Sequence, residues 1–362
     1  GSSEFLEDPG VFALGYNSQR PSMSDNAQRV VFYSYRPDLN SFEPAEQPDL
    51  YLRDRSTGSL TRVSENALGE GADVRPTGGR PRISRNGNHV IFDSRATNLV
   101  SGDSNGVADV FVKDLTTGEV DLVSRSSLGD LGNNHSESRD YDSPPDLSAD
   151  GRYAVFDSPA SNLVAGDSNN RYDVFIHDRD TDETRILSLG TVAAHSFSPR
   201  ISADGNRVIF QSEGALIPAD TNNRGDLYLW DRSSNTLSLV STTSSGGLGN
   251  HNSSLSPPLP HDISADGRFV TFSSQATNFV ADTPTTPPGV NLFVKDLQTG
   301  EIRLISRTPN GTALAATPPN LALISGNGQL MFFYGPFSLF IPGGAVGVEG
   351  LIQVFNSLSL TP

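Results

Sequence analysis

Residues 102–114 read GDSNGVADVFVKD, and closely similar text returns at residues 166–178 (GDSNNRYDVFIHD) and 219–231 (ADTNNRGDLYLWD). In each copy an acid, an amide and a second acid occupy positions i, i+2 and i+6, and an apolar run follows. The run is typical of a buried β-strand. The polar part is typical of either a calcium loop or an ordinary turn. Because the same short sequence recurs along the chain, the protein contains an internal repeat.

One serine marks a repeat that covers nearly the whole chain. Matching segments surround it, for example PDLSADGRYAVF at residues 145–156 and PRISADGNRVIF at residues 199–210. Subtracting successive serine numbers gives spacings of 60, 64, 54, 62 and 61 residues. An Asp-Gly or Asn-Gly pair follows the serine in most copies, and these dipeptides accept the positive φ of a tight hairpin. The repeat serines are Ser24, Ser84, Ser148, Ser202, Ser264 and Ser325.

Each repeat predicts four short antiparallel strands. The first ends at the serine, and VIFDS, DVFVKD and VDLVS are examples of the second, third and fourth. Strands two and three are apolar on both faces, so each sheet must stack between neighbours. The sequence therefore predicts an all-β fold, a six-bladed β-propeller of four-stranded antiparallel blades in a single domain over residues 1–362. The predicted blades span residues 20–64, 80–124, 145–188, 199–241, 261–306 and 320–362.

Both ends of the chain depart from this pattern. Residues 1–19 are expected to supply a closing strand and a linker. In the last blade the repeat text ends after Phe333, and residues 357–362 are the expected fourth strand.

Composition and charge exclude several classes of function. The 362 residues include 42 acidic and 26 basic residues, a net charge of −16, which disfavours nucleic acid and anionic membranes as partners. The chain has no cysteine, so disulfides, zinc-thiolate centres and cysteine nucleophiles are excluded. No 18-residue apolar span and no signal peptide are visible, so membrane insertion is not expected. The sequence contains no G-x-S-x-G, no H-E-x-x-H and no phosphate-binding loop.

The repeat text resembles the TolB-like family of β-propellers, which is built from PD40 repeats. The resemblance rests on SADGRYAVF at residues 148–156 and on ATNLVSGDSNGVADVFVKD at residues 96–114, and it covers nearly the whole chain. It implies a six-bladed propeller that binds other molecules and is exported to the periplasm or the cell surface. It implies no particular reaction.

Antiparallel connectivity gives each blade two unequal ends. The Asp-Gly and Thr-Gly turns share one end, and the Asp-x-Asn loops and interblade linkers share the other. Long, varied loops commonly carry binding function, so we expect the partner at the loop-rich side. The leading hypothesis is a non-enzymatic, monomeric binding or scaffold module for a protein or peptide, with a glycan as a second class of partner. A structural spacer within a larger surface protein is an alternative.

The Asp-x-Asn loops are the candidate metal sites. They resemble the D-x-D-G-x-x-D calcium loops of other β-propellers, and calcium would be a structural ion there. Two carboxylates are few for an ion that takes six to eight oxygens. Alternatively, the first acid closes an Asx turn and the second accepts backbone N–H groups. The candidate ligands are Asp103, Asn105, Asp109, Asp167, Asn169, Asp173, Asp220, Asn222 and Asp226.

An EF-hand-like ligand set that includes Asp114 is excluded by distance. The strand from Asp109 to Asp114 rises about 3.3 Å per residue, which separates the two acids by roughly 16 Å. We expect Asp114 to accept backbone N–H groups in the turn that follows it. The equivalent residues are Asp178, Asp231 and Asp296.

Histidines in the linkers define a second kind of candidate site. His135, His195 and His251 lie in three consecutive linkers, and converging imidazoles bind transition metals, as in propeller lyases that degrade pectin fragments. The enzymatic alternative is therefore a metal-dependent lyase or glycan-processing enzyme. It requires that at least three of the four histidines, counting His261 with these, lie about 2.0–2.3 Å from one point. Otherwise they are solvated loop histidines. The candidate ligand-binding residues are His135, Arg139, Tyr141, His195, His251 and His261.

One position of the third strand is expected to be solvated. Trp230 aligns there with Lys113, His177, Lys295 and Arg53. A position that accepts lysine, histidine and arginine is typical of a strand end in water. The single tryptophan is therefore expected to be exposed or half-covered.

Overall fold

The structure is a computed structural model, and it describes residues 18–34, 49–74, 79–137, 144–190, 193–254, 261–281, 283, 289–306, 321–326, 328, 330–334 and 355–356. The chain divides into two compact units, residues 1–168 with 175–185 and residues 169–174 with 186–362. All regular structure in the described ranges is β-strand, arranged in six antiparallel sheets. These ranges include no helix with the length and apolar character of a membrane span.

The first three sheets each contain the strands of one predicted repeat, paired in sequence order. The first consists of β1 (Ser18–Met23), β2 (Arg29–Ser34), β3 (Asp49–Asp54) and β4 (Ser59–Arg62). The second consists of β5 (Arg82–Ile83), β6 (His89–Ser94), β7 (Asp109–Asp114) and β8 (Val120–Leu122). The third consists of β9 (Asp146–Leu147), β10 (Tyr153–Ser158), β11 (Asp173–Asp178) and β12 (Glu183–Ile186).

The remaining sheets repeat this order. The fourth consists of β13 (Ser196–Ile201), β14 (Arg207–Ser212), β15 (Asp226–Asp231) and β16 (Thr236–Leu239). The fifth consists of β17 (His261–Ile263), β18 (Phe269–Ser274), β19 (Asn291–Asp296) and β20 (Ile302–Leu304). The sixth shows β21 (Leu321–Ile324), β22 (Leu330–Tyr334) and β23 (Phe355–Asn356). The four-stranded repeat is confirmed in five sheets; the expected strands at residues 1–17 and 357–362 lie outside the described residues.

The repeat serine closes the first hairpin of each sheet. In the fourth sheet the Ser202 hydroxyl donates to Asp204 Oδ1 at 2.6 Å and accepts the Arg207 backbone N–H at 3.0 Å. Gly205, the residue after the aspartate, has a φ of 70°, which glycine adopts without strain. The serine therefore holds the Asp-Gly turn from inside, which explains why turn and serine recur together.

The acid at the end of the third strand closes the second turn, as the sequence predicts. Asp114 Oδ1 accepts the backbone N–H of Thr116 at 2.6 Å and of Thr117 at 3.2 Å. Asp231 accepts the equivalent N–H groups of Ser233 and Ser234. These acids are therefore turn residues and are not ligands of the loops at the opposite strand ends.

The core forms where neighbouring sheets stack face to face. In the first unit, Val31 and Tyr33 of β2 share one apolar cluster with Phe92 and Phe111 of the second sheet. In the second unit, residues of β14 and β15 share a cluster with the aromatic rings of Phe272, Phe279 and Phe293. Stacking on both faces explains why strands two and three are apolar throughout.

Three linkers fold back as short hairpins onto the sheet that follows them. Lys113 Nζ donates to the Glu65 carbonyl oxygen at 2.9 Å, and Lys295 Nζ donates to the Thr242 carbonyl oxygen at 2.9 Å. In the third sheet the Thr184 hydroxyl makes the equivalent bond to a hairpin carbonyl oxygen. The hairpins are closed by the bridges Glu65–Gly71, Arg125–Leu131 and Thr242–Leu248.

The prediction that the Trp230 position is solvated is wrong. Trp230 is only 5% exposed, and its Nε1–H donates to Asn235 Oδ1 at 3.2 Å. The equivalent Lys113, His177 and Lys295 are also buried, whereas Arg53 is half-buried. Lysine is accommodated because a hairpin carbonyl oxygen accepts its N–H group. For the two lysines this contact comes from a linker about 50 residues earlier in the chain, and a local strand pattern does not include it.

Candidate functional site

The Asp-x-Asn loops contain a hydrogen-bonded unit that joins three parts of one sheet. In the fourth sheet, Asn222 Nδ2 donates to Asp226 Oδ2 at 2.8 Å, and Asn222 Oδ1 accepts the Arg224 N–H at 2.8 Å. The Ser241 hydroxyl, just after β16, donates to Asp226 Oδ1 at 2.6 Å and accepts the Leu227 N–H at 3.1 Å. Asp226 thus ties the loop to the third and fourth strands.

The same unit appears in the two other candidate loops. Asn105 and Asn169 each donate to the second acid of their loop at 2.8 Å, and a serine fifteen residues after that acid donates at 2.6 Å. The second acids are fully buried. The equivalent trios are Asn105, Asp109 and Ser124, and Asn169, Asp173 and Ser188.

The first acid of each loop is also buried. Asp220 Oδ1 accepts the Asn222 N–H at 3.4 Å, as in an Asx turn, and its Oδ2 accepts the Tyr228 hydroxyl. Burial raises the pKa of Asp103. Asp167 lies at the matching position of its loop and is buried as well. The three acids therefore support the loops from inside.

Burial dominates the electrostatics of the second acids. It raises the pKa of Asp109 and of Asp226 to about 6, against hydrogen bonds that lower it. The negative charge of the first acid raises both values further, through Asp103 and Asp220 respectively. A bound cation would relieve this repulsion.

The hydrogen bonds do not leave ready ligands for calcium. Both oxygens of Asp109 and of Asp226 accept side-chain hydrogen bonds, and the Asn105 and Asn222 amides present nitrogen rather than oxygen to them. An ion that takes six to eight oxygens would require these amides to turn. The contacts match the hydrogen-bonded turn, and calcium stays a prediction of the sequence.

Asparagine clamps join each of three linkers to the sheet that follows. Asn278 Nδ2 donates to the Leu248 carbonyl oxygen at 2.9 Å, and its Oδ1 accepts the Asn250 N–H at 3.0 Å. Asn250 in turn accepts the Thr277 N–H at 2.9 Å and donates to the Thr277 hydroxyl at 2.9 Å. The equivalent pairs are Asp73 with Asn98 and Asn133 with Asn162.

Sequence reasoning missed these clamps, although a signal was present. The sequence T-N-L, S-N-L or T-N-F recurs in the second loop of each of these sheets, and the linker partner follows a glycine or alanine at a similar spacing. Their bonds use many of the polar side chains of the linkers. The clamp asparagines are therefore structural.

A second missed set lies on the first strands, two residues before the repeat serine. In the first unit, Arg82 Nη1 lies 3.7 Å from Asp146 Oδ1. In the second unit, Asp262 Oδ2 accepts the Ile324 N–H of the next sheet at 3.1 Å. The alternation of Arg and Asp in PRIS, PDLS, PRIS and HDIS was the available signal. These side chains join the first strands of adjacent sheets.

Two of the candidate histidines have both ring nitrogens in contact with other groups. His261 Nε2–H donates to the Ser198 carbonyl oxygen at 2.7 Å, and its Nδ1 accepts from Gln211 Nε2 at 2.9 Å. His195 Nδ1 accepts the Tyr172 N–H at 3.1 Å, and Arg171 lies 3.3 Å from its Nε2. His261 therefore acts as a buried structural residue of β17.

The remaining candidates are not brought together in the described chain. His135 is half-buried, with Nδ1 3.7 Å from Glu137 Oε1, and His251 is half-buried in its linker. Arg139 and Tyr141 lie outside the described residues. Across the described ranges, no three His, Cys, Asp or Glu side chains are grouped so that they could hold a metal ion. The requirement of the enzymatic alternative is not met there.

The sheets and their stacking define the β-propeller class, and comparison with solved structures confirms it. The chain is similar to the β-propeller domain of the Trilobed protease from Pyrococcus furiosus, with a TM-score of 0.52 and 12% identity over 93% of this chain and 84% of that one. It is also similar to oligogalacturonate lyase from Vibrio parahaemolyticus, with a TM-score of 0.52 and 14% identity over 96% of this chain and 78% of that one. These likenesses show the fold alone.

TolB is also among the similar structures. TolB from Acinetobacter baumannii gives a TM-score of 0.46 and 16% identity over 92% of this chain, which spans 62% of that protein. No protein-family model matches the sequence, and no curated protein matches it.

Proposed function

We propose that the protein is a non-enzymatic binding or scaffold propeller, exported as a monomer, whose loop-rich side takes a protein or peptide partner. The exposure of leucine at the tips of the linker hairpins carries this proposal. Leu68 is 83% exposed and Leu128 is 91% exposed, at the same position of two successive hairpins. Apolar side chains held in water at a repeated position favour contact with another surface.

Other features of the linkers support the same function. Val74 and Leu189, two further exposed apolar residues, also lie in interblade linkers. The linker asparagines are used in clamps, so the apolar tips are the groups that the hairpins present. The net charge of −16 favours a partner with a basic surface.

Replacing Leu68 and Leu128 together with serine tests the proposal. Since both side chains lie in water, we expect the free energy of unfolding to change by less than about 0.5 kcal/mol. Wild-type and variant proteins are immobilised and compared for capture of cell-envelope proteins from the source organism, with quantification by mass spectrometry. We expect at least one captured protein to fall on the order of tenfold. Gln298→Ala, at an exposed tight turn of the opposite strand ends, is the control and should capture normally; equal capture by all three would rule out the tips.

Structural calcium in the Asp-x-Asn loops is tested separately from the partner site. Thermal unfolding is measured in millimolar calcium and in chelator. The hydrogen bonds of Asp109 and Asp226 account for the loops without an ion, so we expect the Tm to shift by less than about 1 °C. A rise of several degrees that disappears in Asp226→Asn would establish an ion in the fourth-sheet loop.

A further inference from the structure

In the described residues, the outer strand of the fourth sheet lacks the hairpin contact that the outer strands of the third and fifth sheets receive. The Ser244 hydroxyl of one linker hairpin accepts the Ile302 N–H of β20 at 3.1 Å. In the third sheet, the Ser127 hydroxyl accepts the Thr184 N–H of β12 at 2.9 Å and donates to its carbonyl oxygen at 3.3 Å. Before the fourth sheet, the described residues of the linker 187–195 form no such hairpin. This accounts for the short repeat spacing of 54 residues.

The pairing of β16 shows which backbone groups point outward. Val240 N–H donates to the Leu227 carbonyl oxygen at 2.8 Å, and the register continues along the strand. Hydrogen-bonded and non-hydrogen-bonded pairs alternate in an antiparallel ladder, so Leu239 and Leu237 lie in non-hydrogen-bonded pairs. Their N–H and C=O groups therefore point away from β15, as those of Ile302 do in the fifth sheet. Within the described part of the chain, no hydrogen bond reaches them.

The outer strand β16 also lacks charge. It reads Thr-Leu-Ser-Leu, and its leucines are half-buried. Charged side chains on an edge strand discourage pairing with another chain. Each of the other four described fourth strands contains at least one charged residue: Arg62, Asp121, Glu183 with Arg185, and Arg303. Among the second to fifth sheets, the fourth is thus the one whose outer strand has neither a hairpin in the described residues nor a charged residue.

We propose that the outer edge of β16 is a docking edge for an extended, uncharged or basic peptide segment of another protein, which adds as a fifth strand. The outer strands of the third and fifth sheets show how such a segment would bind. There a serine of a linker hairpin accepts a hydrogen bond from the outward N–H of Thr184 or Ile302, which correspond to Leu237 in β16. A second copy of the chain fits less well. Two chains of net charge −16 repel, and a four-residue edge buries much less than the roughly 1,000 Å² of a stable interface.

Trp230 provides a reporter for this edge. It is the single tryptophan of the chain, and it pairs with Leu237 across the ladder. The probe is the synthetic peptide KTVSVTVK with blocked ends, which alternates hydroxyl and β-branched residues and has basic ends. We expect a saturable change in tryptophan fluorescence and amide exchange of residues 235–240 slowed on the order of tenfold. The control peptide KTPSPTVK, which has prolines in place of two valines, should produce neither change.

Two variants test the geometry. Leu237→Pro removes an outward N–H without removing a bond to β15, and proline is tolerated on edge strands. Thr236→Lys with Ser238→Lys adds charge at two exposed positions. We expect each variant to weaken peptide binding on the order of tenfold while the Tm stays within about 2 °C of wild type. The proposal is overturned if both variants bind the peptide normally, if protection appears elsewhere, or if the edge becomes protected with protein concentration alone, which would identify a second copy. The edge is distant in sequence from the hairpin tips, and the Leu68 and Leu128 variants should bind this peptide unchanged.

Discussion

Replacing Asp226 with alanine is expected to lower the free energy of unfolding by about 3 kcal/mol. The side chain is fully buried and accepts hydrogen bonds from Ser241 and Asn222. Each buried donor that loses its acceptor costs about 1–3 kcal/mol. The loss is measured by urea denaturation of the wild type and the variant near pH 7.

Asp226→Asn is the matched control, because asparagine occurs naturally at the equivalent position of another sheet. The fifth sheet has asparagine at the equivalent position, where Asn291 Oδ1 accepts the Ser306 hydroxyl at 3.3 Å. We therefore expect Asp226→Asn to cost less than about 1 kcal/mol. If alanine and asparagine destabilise equally, the hydrogen bonds are not the source of the stability.

The stability contribution of the buried acids should change with pH by a comparable amount. The folded pKa of Asp226 is about 6, raised by burial, whereas an unfolded aspartate titrates near 3.9. The folded state therefore binds more protons between these values. The contribution is fully present below about pH 4 and is lost as the pH rises through 6. Two pKa units correspond to roughly 3 kcal/mol.

A difference measurement isolates this effect. Wild type should lose roughly 3 kcal/mol relative to Asp226→Asn between about pH 4 and pH 7.5. Comparing the wild type with Asp226→Asn is necessary because other titratable groups also change the stability with pH, some in the same direction and some in the opposite one. Burial raises the pKa of Asp93 to about 7, with the same sign as Asp226, whereas burial lowers the pKa of His89 and His177, whose contribution is lost as the pH falls. A difference that stays constant with pH would show that the Asp226 carboxyl titrates normally.

The turns and strands followed directly from local sequence. The serine of each repeat, with the Asp-Gly or Asn-Gly pair that follows it in most copies, predicted the first hairpin, and the bonds of Ser202 to Asp204 and Arg207 confirm its basis. The role of Asp114 as a turn residue also followed, because strand length alone separates it from Asp109. In these cases the two partners are only a few residues apart in the sequence, so one short segment contains both of them.

The candidate site was less predictable because its bonds cross the sheet or reach another sheet. Asp226 was singled out as a possible ligand, but its partner Ser241 lies fifteen residues away on the fourth strand. The candidate histidines all occur in similar polar linker sequences, yet His261 belongs to a strand and forms hydrogen bonds with the preceding sheet. Spacing from the repeat serine does not distinguish such environments.

The sequence by itself determined the repeat, the strand order, the two kinds of turn and the unequal ends of the sheets, since each depends on a short period or a dipeptide. The tertiary structure decided which polar residues are structural, which strand position is buried and which edge is left open. Lys295 and Trp230 occupy the same place in the repeat, and both are buried. Lys295 donates to the Thr242 carbonyl oxygen of the preceding linker hairpin, whereas Trp230 donates to Asn235 in the turn of its own sheet.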